Sequence, residues 1–259
     1  MRTAVAAPAQ TNVFLTASWR HLAMLNFTID SGILEPHVPP GTELDLYDGR
    51  AYVSVVGFQF LDTRVLGLPL WFHRDFEEVN LRFYVVRHTS DGPRRGVVFL
   101  REIAPKRLIS LAARWFYNER YVTMPMRRRV ELPASGVAGR VQYEWQHGQR
   151  WQGLCVRFGG ELLPLTPGSE EEFIAEHYWG YTKQIDGTTM EYQVEHPAWR
   201  VWQASSATYD CDVEANYGKE FAPFLREPTS FFVADGSEVL VRRGQRLATA
   251  QAANARTRQ

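Results

Sequence analysis

The chain has 259 residues, carries 29 Lys+Arg against 29 Asp+Glu, and is 45% hydrophobic. That is too apolar for a disordered chain, and its zero net charge lacks the excess of Lys and Arg that a general nucleic-acid binder needs. No apolar run approaches the roughly 20 residues of a membrane-spanning helix, and two cysteines are too few for a disulfide framework.

Cys155 and Cys211 therefore read as thiols in a reducing, cytoplasmic compartment. Pro8, Gln10, Thr11 and Asn12 interrupt any secretory signal at the start. Residues 1–12 and 244–259 read as disordered tails around one domain over residues 13–243.

Inside those limits period-two alternation dominates. Residues 43–47 alternate, Asp48-Gly49 supplies the positive φ of a tight primed turn, and residues 50–60 return as a longer strand. Residues 78–87 form a third strand, turned by Asp91-Gly92-Pro93 into residues 95–102. Pro105 suits a first helical turn, after which Leu108, Leu111, Ala112, Trp115 and Phe116 share one helical face. Weaker strands span residues 122–131, 140–145 and 150–158, with His147-Gly148 joining the last two. Ser169 and Glu172 make a capping box that opens a helix over residues 170–178, with Phe173, Ile174 and Tyr178 apolar. Strands over residues 190–195 and 201–208 follow, and Asp235-Gly236 turns residues 231–234 into 237–242. About ten short-linked strands and two helices predict a mainly β, α+β domain: a curled antiparallel sheet or barrel with helices packed on it.

Within the strand over residues 78–87, Glu78, Asn80, Arg82 and Tyr84 share one face and Val79, Leu81, Phe83 and Val85 the other. The polar face meets solvent in an ordinary antiparallel sheet. In a barrel covered outside it lines the interior, where the acid and the Arg would pair and the Arg could grip a carboxylate through its planar fork. Arg127, Arg128 and Arg129 suit a solvated edge strand. The seven histidines lack metal-ligand spacing, His196 is held extended before Pro197, and Gly159-Gly160 is no phosphate loop, so neither metal nor cofactor is expected.

Several segments resemble the YqjF-like DUF2071 family. These are Phe14-Leu15-Thr16-Ala17-Ser18-Trp19-Arg20-His21-Leu22, Pro40-Gly41-Thr42-Glu43-Leu44-Asp45 and Tyr52-Val53-Ser54-Val55-Val56-Gly57-Phe58. Phe76-Glu77-Glu78-Val79-Asn80-Leu81-Arg82 and Tyr192-Gln193-Val194-Glu195-His196-Pro197 complete the set. The family has no established activity and is similar to the acetoacetate decarboxylase superfamily, which implies a cone-shaped antiparallel β-barrel around a pocket with flanking helices. Those decarboxylases form a Schiff base on a lysine that follows a Tyr-x-Glu strand and a Gly-Arg-Glu segment. Here Phe76 and Glu78 match the first and Ala113-Arg114-Trp115 the second, and seven residues past Arg114 stands Tyr121. Tyrosine cannot form an imine.

The resemblance thus implies the pocket without its nucleophile. The expected function is binding of a small organic acid or carbonyl compound, with acid–base chemistry: Glu78 moves a proton and Tyr121 polarises an oxygen. Arg82 and Arg114 hold the anion, and Asn80 and Tyr84 line the site. A non-catalytic ligand-binding or scaffold protein is the alternative. A decarboxylase using Lys106 is another, with Arg107 beside it to lower the amine's pKa. Lys183 and Lys219 have no supporting neighbours. No nucleic acid or membrane partner is expected, and a homo-oligomer is compatible with the sequence.

Overall fold

The computed structural model describes residues 12–70, 74–105 and 121–247. Its strands are β1 (Val13–Ile29), β2 (Glu43–Leu44), β3 (Ala51–Val65), β4 (Leu68–Pro69), β5 (Phe76–Thr89), β6 (Gly92–Ala104), β7 (Tyr121–Thr123) and β8 (Met126–Glu131). They continue as β9 (Gly139–His147), β10 (Arg150–Pro164), β11 (Trp179–Lys183), β12 (Thr189–Glu195), β13 (Arg200–Asp210), β14 (Ser230–Arg242) and β15 (Gln245–Arg246). Short helices α1 (Ser31–Leu34), α2 (Glu170–Ala175) and α3 (Val213–Tyr217) connect them. Among the described residues no helix is long and apolar enough to cross a membrane.

Hydrogen bonding closes seven strands into a ring in the order β1, β3, β5, β6, β11, β12, β14 and back to β1. A branch leaves β14 through β13, β10 and β9 to end at β8. This branch folds back over the ring. Phe27, Val55, Leu81 and Phe83 on one face of the ring strands pack against Tyr143, Trp145 and Phe158 of the branch. On the opposite face Met24, Val56, Tyr84, Val97 and Phe232 converge from five ring strands, and Phe173 and Ile174 of α2 pack against them. That second face is the enclosed one.

The period-two strands over residues 78–87 and 95–102 correspond to β5 and β6, joined by a turn at Ser90-Asp91, one residue earlier than expected, so that Gly92 and Pro93 already pair with Thr89 and His88. Helix α2 carries its capping pair: Ser169 Oγ accepts from the Glu172 amide at 3.2 Å, and Glu172 Oε2 accepts from the Gly168 amide at 2.6 Å. β8 lies at the end of the sheet path, as its three arginines suggested.

One strand escapes the sequence pattern and five expectations are corrected. β1 is the longest strand at 17 residues, yet its alternation is blurred because residues 22–27 are buried on both faces. The Asp48-Gly49 turn exists, with φ of 49° and 73° and a paired Tyr47 and Arg50. The segment before it leaves that hairpin, however, and pairs with β5 through Glu43 and Leu44. Asp235-Gly236 is no hairpin turn, because β14 runs straight through it alongside β1. Gly236, at φ 79°, sits where an added Cβ would lie 2.0 Å from the Trp19 carbonyl oxygen. The strand over residues 122–131 breaks at Pro125, which has no amide to donate, into β7, parallel to β6, and β8, antiparallel to β9.

The helix expected over residues 170–178 stops at Ala175, and β11 follows, parallel to β6. Part of the expected C-terminal tail is ordered: β15 pairs with β12, and the Leu247 amide donates to the Thr189 carbonyl at 2.8 Å. The helix expected after Pro105 and the outer parts of both tails lie outside the described residues.

Candidate functional site

Glu78, Asn80, Arg82 and Tyr84 all lie on the enclosed face, at 7% exposure or less. A strand that alternates polar and apolar residues puts its polar set wherever the apolar set is not, and the branch claims the apolar set. Glu78 accepts from the Tyr121 hydroxyl at 2.6 Å and from Asn80 Nδ2 at 3.1 Å. Tyr121 reaches it because β7 pairs with β6 exactly where β6 pairs with Asn80: Glu102 is the backbone partner of both. Burial pushes the Glu78 carboxyl up to about 7, despite the opposing pull of Tyr121, Asn80 and the Arg82 charge.

The pairing of Glu78 with Arg82 is corrected. Arg82 instead donates through Nη2 to the Ile174 carbonyl at the end of α2, at 3.2 Å, with its guanidinium carbon 5.7 Å from the centre of the Tyr84 ring. Its Nε is buried without a hydrogen-bond partner among the described residues, as is Asn80 Oδ1. Tyr84 donates to Ser54 Oγ at 2.6 Å, since the Ser54 proton goes to Asn26 Oδ1 at 2.7 Å. Asn26 Nδ2 donates to Ser230 Oγ at 3.0 Å, and Ser230 and Tyr52 both donate to Glu170 of α2. This chain ties β5, β3, β1 and β14 to the start of α2, whose far end holds Arg82.

Four neighbours went unnoticed in the sequence. His177, two residues past α2, turns inward with its ring 4.7 Å from that of Tyr84, and its Nε2 is 3.5 Å from Asp45 Oδ2. Arg95 Nε donates to the same oxygen at 2.6 Å. Burial holds the imidazole neutral by pushing its pKa down to about 4, helped by the Arg95 and Arg82 charges. Burial raises the Asp45 carboxyl, but its bonds to His177 and Arg95 outweigh this and leave it below its usual value. Neither ring nitrogen of His177 has a hydrogen-bond partner of good geometry among the described residues, Nε2 resting at ion-pair distance from Asp45 and Nδ1 facing no partner. The buried Glu102, beside Asn80 and Tyr121 in register, is the fourth.

Arg114 and Lys106 lie outside the described residues, and Lys183 and Lys219 are exposed. His196 stacks between Tyr178 and Trp199. The three arginines of β8 form ion pairs: Arg127 with Glu144, Arg128 with Glu77 and Arg129 with Glu131. Both cysteines are free, and burial pushes the Cys211 thiol up to about 12, away from nucleophilic use. Among the described residues no group of three His, Cys, Asp or Glu side chains is placed to hold a metal.

The closed ring of strands is that of the acetoacetate decarboxylase-like fold. The structure of acetoacetate decarboxylase from Legionella pneumophila superposes with a TM-score of 0.61 at 13% identity, covering 96% of this chain and 95% of that one. The enduracididine biosynthesis enzyme MppR complexed with pyruvate superposes with a TM-score of 0.62 at 12% identity, covering 95% and 93%. At such identities the likeness establishes the fold alone. Residues 16–238 match DUF2071, a family of uncharacterized conserved proteins, and the chain belongs to that family. It is also similar to the uncharacterized protein YqjF of Bacillus subtilis (strain 168), 34% identical over 111 residues; the match spans 42% of this chain and 44% of YqjF.

Proposed function

We propose that this protein binds a small organic acid on the enclosed face of the ring and acts on it by proton transfer. The observation that carries this reading is Glu78: a carboxyl removed from water, raised to about 7 and held by Tyr121 at 2.6 Å. A group that titrates near neutrality both takes and returns a proton at working pH, which is the property general acid–base catalysis requires. Tyr121 supplies a hydroxyl that stabilises developing negative charge, and Arg82 supplies the fixed positive charge for the ligand's carboxylate. Arg114 is proposed as a second cation at the same site. The resemblance to a decarboxylase that uses a lysine supports the ligand class, and the pyruvate bound to MppR supports it further.

The chemistry is proposed to be non-covalent, because Tyr121 occupies the position that the resemblance assigns to the amine. Borohydride reduction in the presence of acetoacetate tests this directly by intact mass. No adduct is expected, and a reduced adduct on Lys106 would replace this mechanism with imine chemistry. A thermal-shift screen of keto and hydroxy acids tests binding. A ligand at 100 times its Kd adds about 2.7 kcal/mol of stability, and that gain should be lost in the Arg82→Met variant.

A further inference from the structure

Four polar atoms on or beside the enclosed face have specific, unequal needs. Arg82 Nε is a donor with nothing to donate to among the described residues, while Asn80 Oδ1 and His177 Nδ1 have no hydrogen-bond partner there. His177 Nε2 faces Asp45 Oδ2 at 3.5 Å, and Asp45 is held as an anion by Arg95 at 2.6 Å. Nε2 makes no hydrogen bond of good geometry either, but the carboxylate it faces accepts and cannot donate, so its negative field favours the imidazole proton on Nε2 and leaves Nδ1 as a lone pair. Asn80 is oriented in the same way: its Nδ2 is committed to Glu78, so its Oδ1 is the end left over. Arg82 and His177 lie against the same Tyr84 ring, at 5.7 and 4.7 Å, and Asn80 is the next residue along that face of β5. The face therefore offers one charged donor and two acceptors.

We infer that the ligand is a hydroxy acid, whose carboxylate accepts from Arg82 Nε and whose hydroxyl group donates to His177 Nδ1. The inference rests on the organic-acid reading above and narrows it. A keto acid satisfies the guanidinium equally well, but its carbonyl oxygen only accepts, so it meets the lone pair of His177 with another lone pair. Leaving a buried acceptor unpaired costs about 1–3 kcal/mol, and sites built to bond a hydroxyl discriminate strongly against analogues without it.

Isothermal titration of the full chain with two matched pairs decides the matter: lactate against pyruvate, and 3-hydroxybutyrate against acetoacetate. In at least one pair the hydroxy acid is expected to bind on the order of tenfold tighter or more. In His177→Phe, which keeps a ring beside Tyr84, that preference is expected to fall to about twofold or less while carboxylate binding persists. Equal affinities in both pairs, a preference for the keto acids, or a preference undiminished in His177→Phe would each overturn hydroxyl recognition and leave the organic-acid reading standing. Failure of all four acids to bind would sink that broader reading and this inference with it. Should His177→Phe not fold, the wild-type comparison is decisive alone.

Discussion

The two faces of β5 are built from neighbouring residues on one strand, yet they are different materials. Toward the branch, Val79, Leu81, Phe83 and Val85 are fully buried among apolar side chains, with no polar group of their own to satisfy. Toward the ring's interior, Glu78, Asn80, Arg82 and Tyr84 are equally dry but carry charge, hydrogen bonds and atoms without partners. One face holds the protein together; the other holds polar groups at a cost that a structural core would not carry. Burial therefore does not separate the two, and chemical satisfaction does.

The comparison can be broken most forcefully from the apolar side. Phe83→Ala should cost about 3–5 kcal/mol in urea denaturation, because it removes a wholly buried ring from a packed layer. A loss under about 1 kcal/mol would mean that this face is not the core. Glu78→Gln, five residues earlier and just as buried, should do the reverse at high pH.

The sign follows from the raised pKa. Glu78 binds its proton more tightly folded than unfolded, so its favourable contribution is complete below about 4.5 and fades as pH rises through about 7. The variant should therefore be more stable than the wild type at pH 8, by about 2–3 kcal/mol, and close to it at pH 4. Denaturant titrations across pH measure the gap, and a variant destabilised at pH 8 would mark Glu78 as a structural acid.

His177 sharpens the contrast with a slope of opposite sign. Its pKa is lowered to about 4 in the fold, so its contribution is present above about 6.5 and is lost as pH falls toward 4. His177→Gln should flatten the stability profile between those limits by about 2–3 kcal/mol. An unchanged profile would show that the imidazole is not the buried group titrating there. At the far end of the scale, Arg129→Ala on the exposed edge of β8 removes a pair with Glu131 that is half in solvent on both sides. It should move stability by less than about 0.5 kcal/mol, and a larger effect would make that edge more than a solvated rim.

Much of the site was legible because the strand period is fixed locally. Glu78, Asn80, Arg82 and Tyr84 must share a face wherever β5 lies, and the seven-residue step from Arg114 to Tyr121 led to the hydroxyl that bonds Glu78. What stayed hidden traces to two misread boundaries. Reading residues 43–47 as one arm of a hairpin put Asp45 beside the wrong strand. Its amide in fact donates to the Tyr84 carbonyl at 3.0 Å, which carries it into the site. Reading the helix on to residue 178 put His177 on a helical face, whereas α2 ends at Ala175 and the chain turns that ring inward. The Gly236 kink misled for a related reason: positive φ serves a hairpin and an unbroken strand alike, and only the Trp19 backbone beside it tells which.

The sequence alone determined that one side of this strand would be apolar and the other polar, since side-chain alternation follows from backbone stereochemistry within a few residues. Only the tertiary structure decided that the polar side is sealed from water and which groups meet there. Closing the ring joins β1 to β14 and β6 to β11 across long stretches of chain, and no local pattern encodes which distant strand will complete a hydrogen-bond ladder.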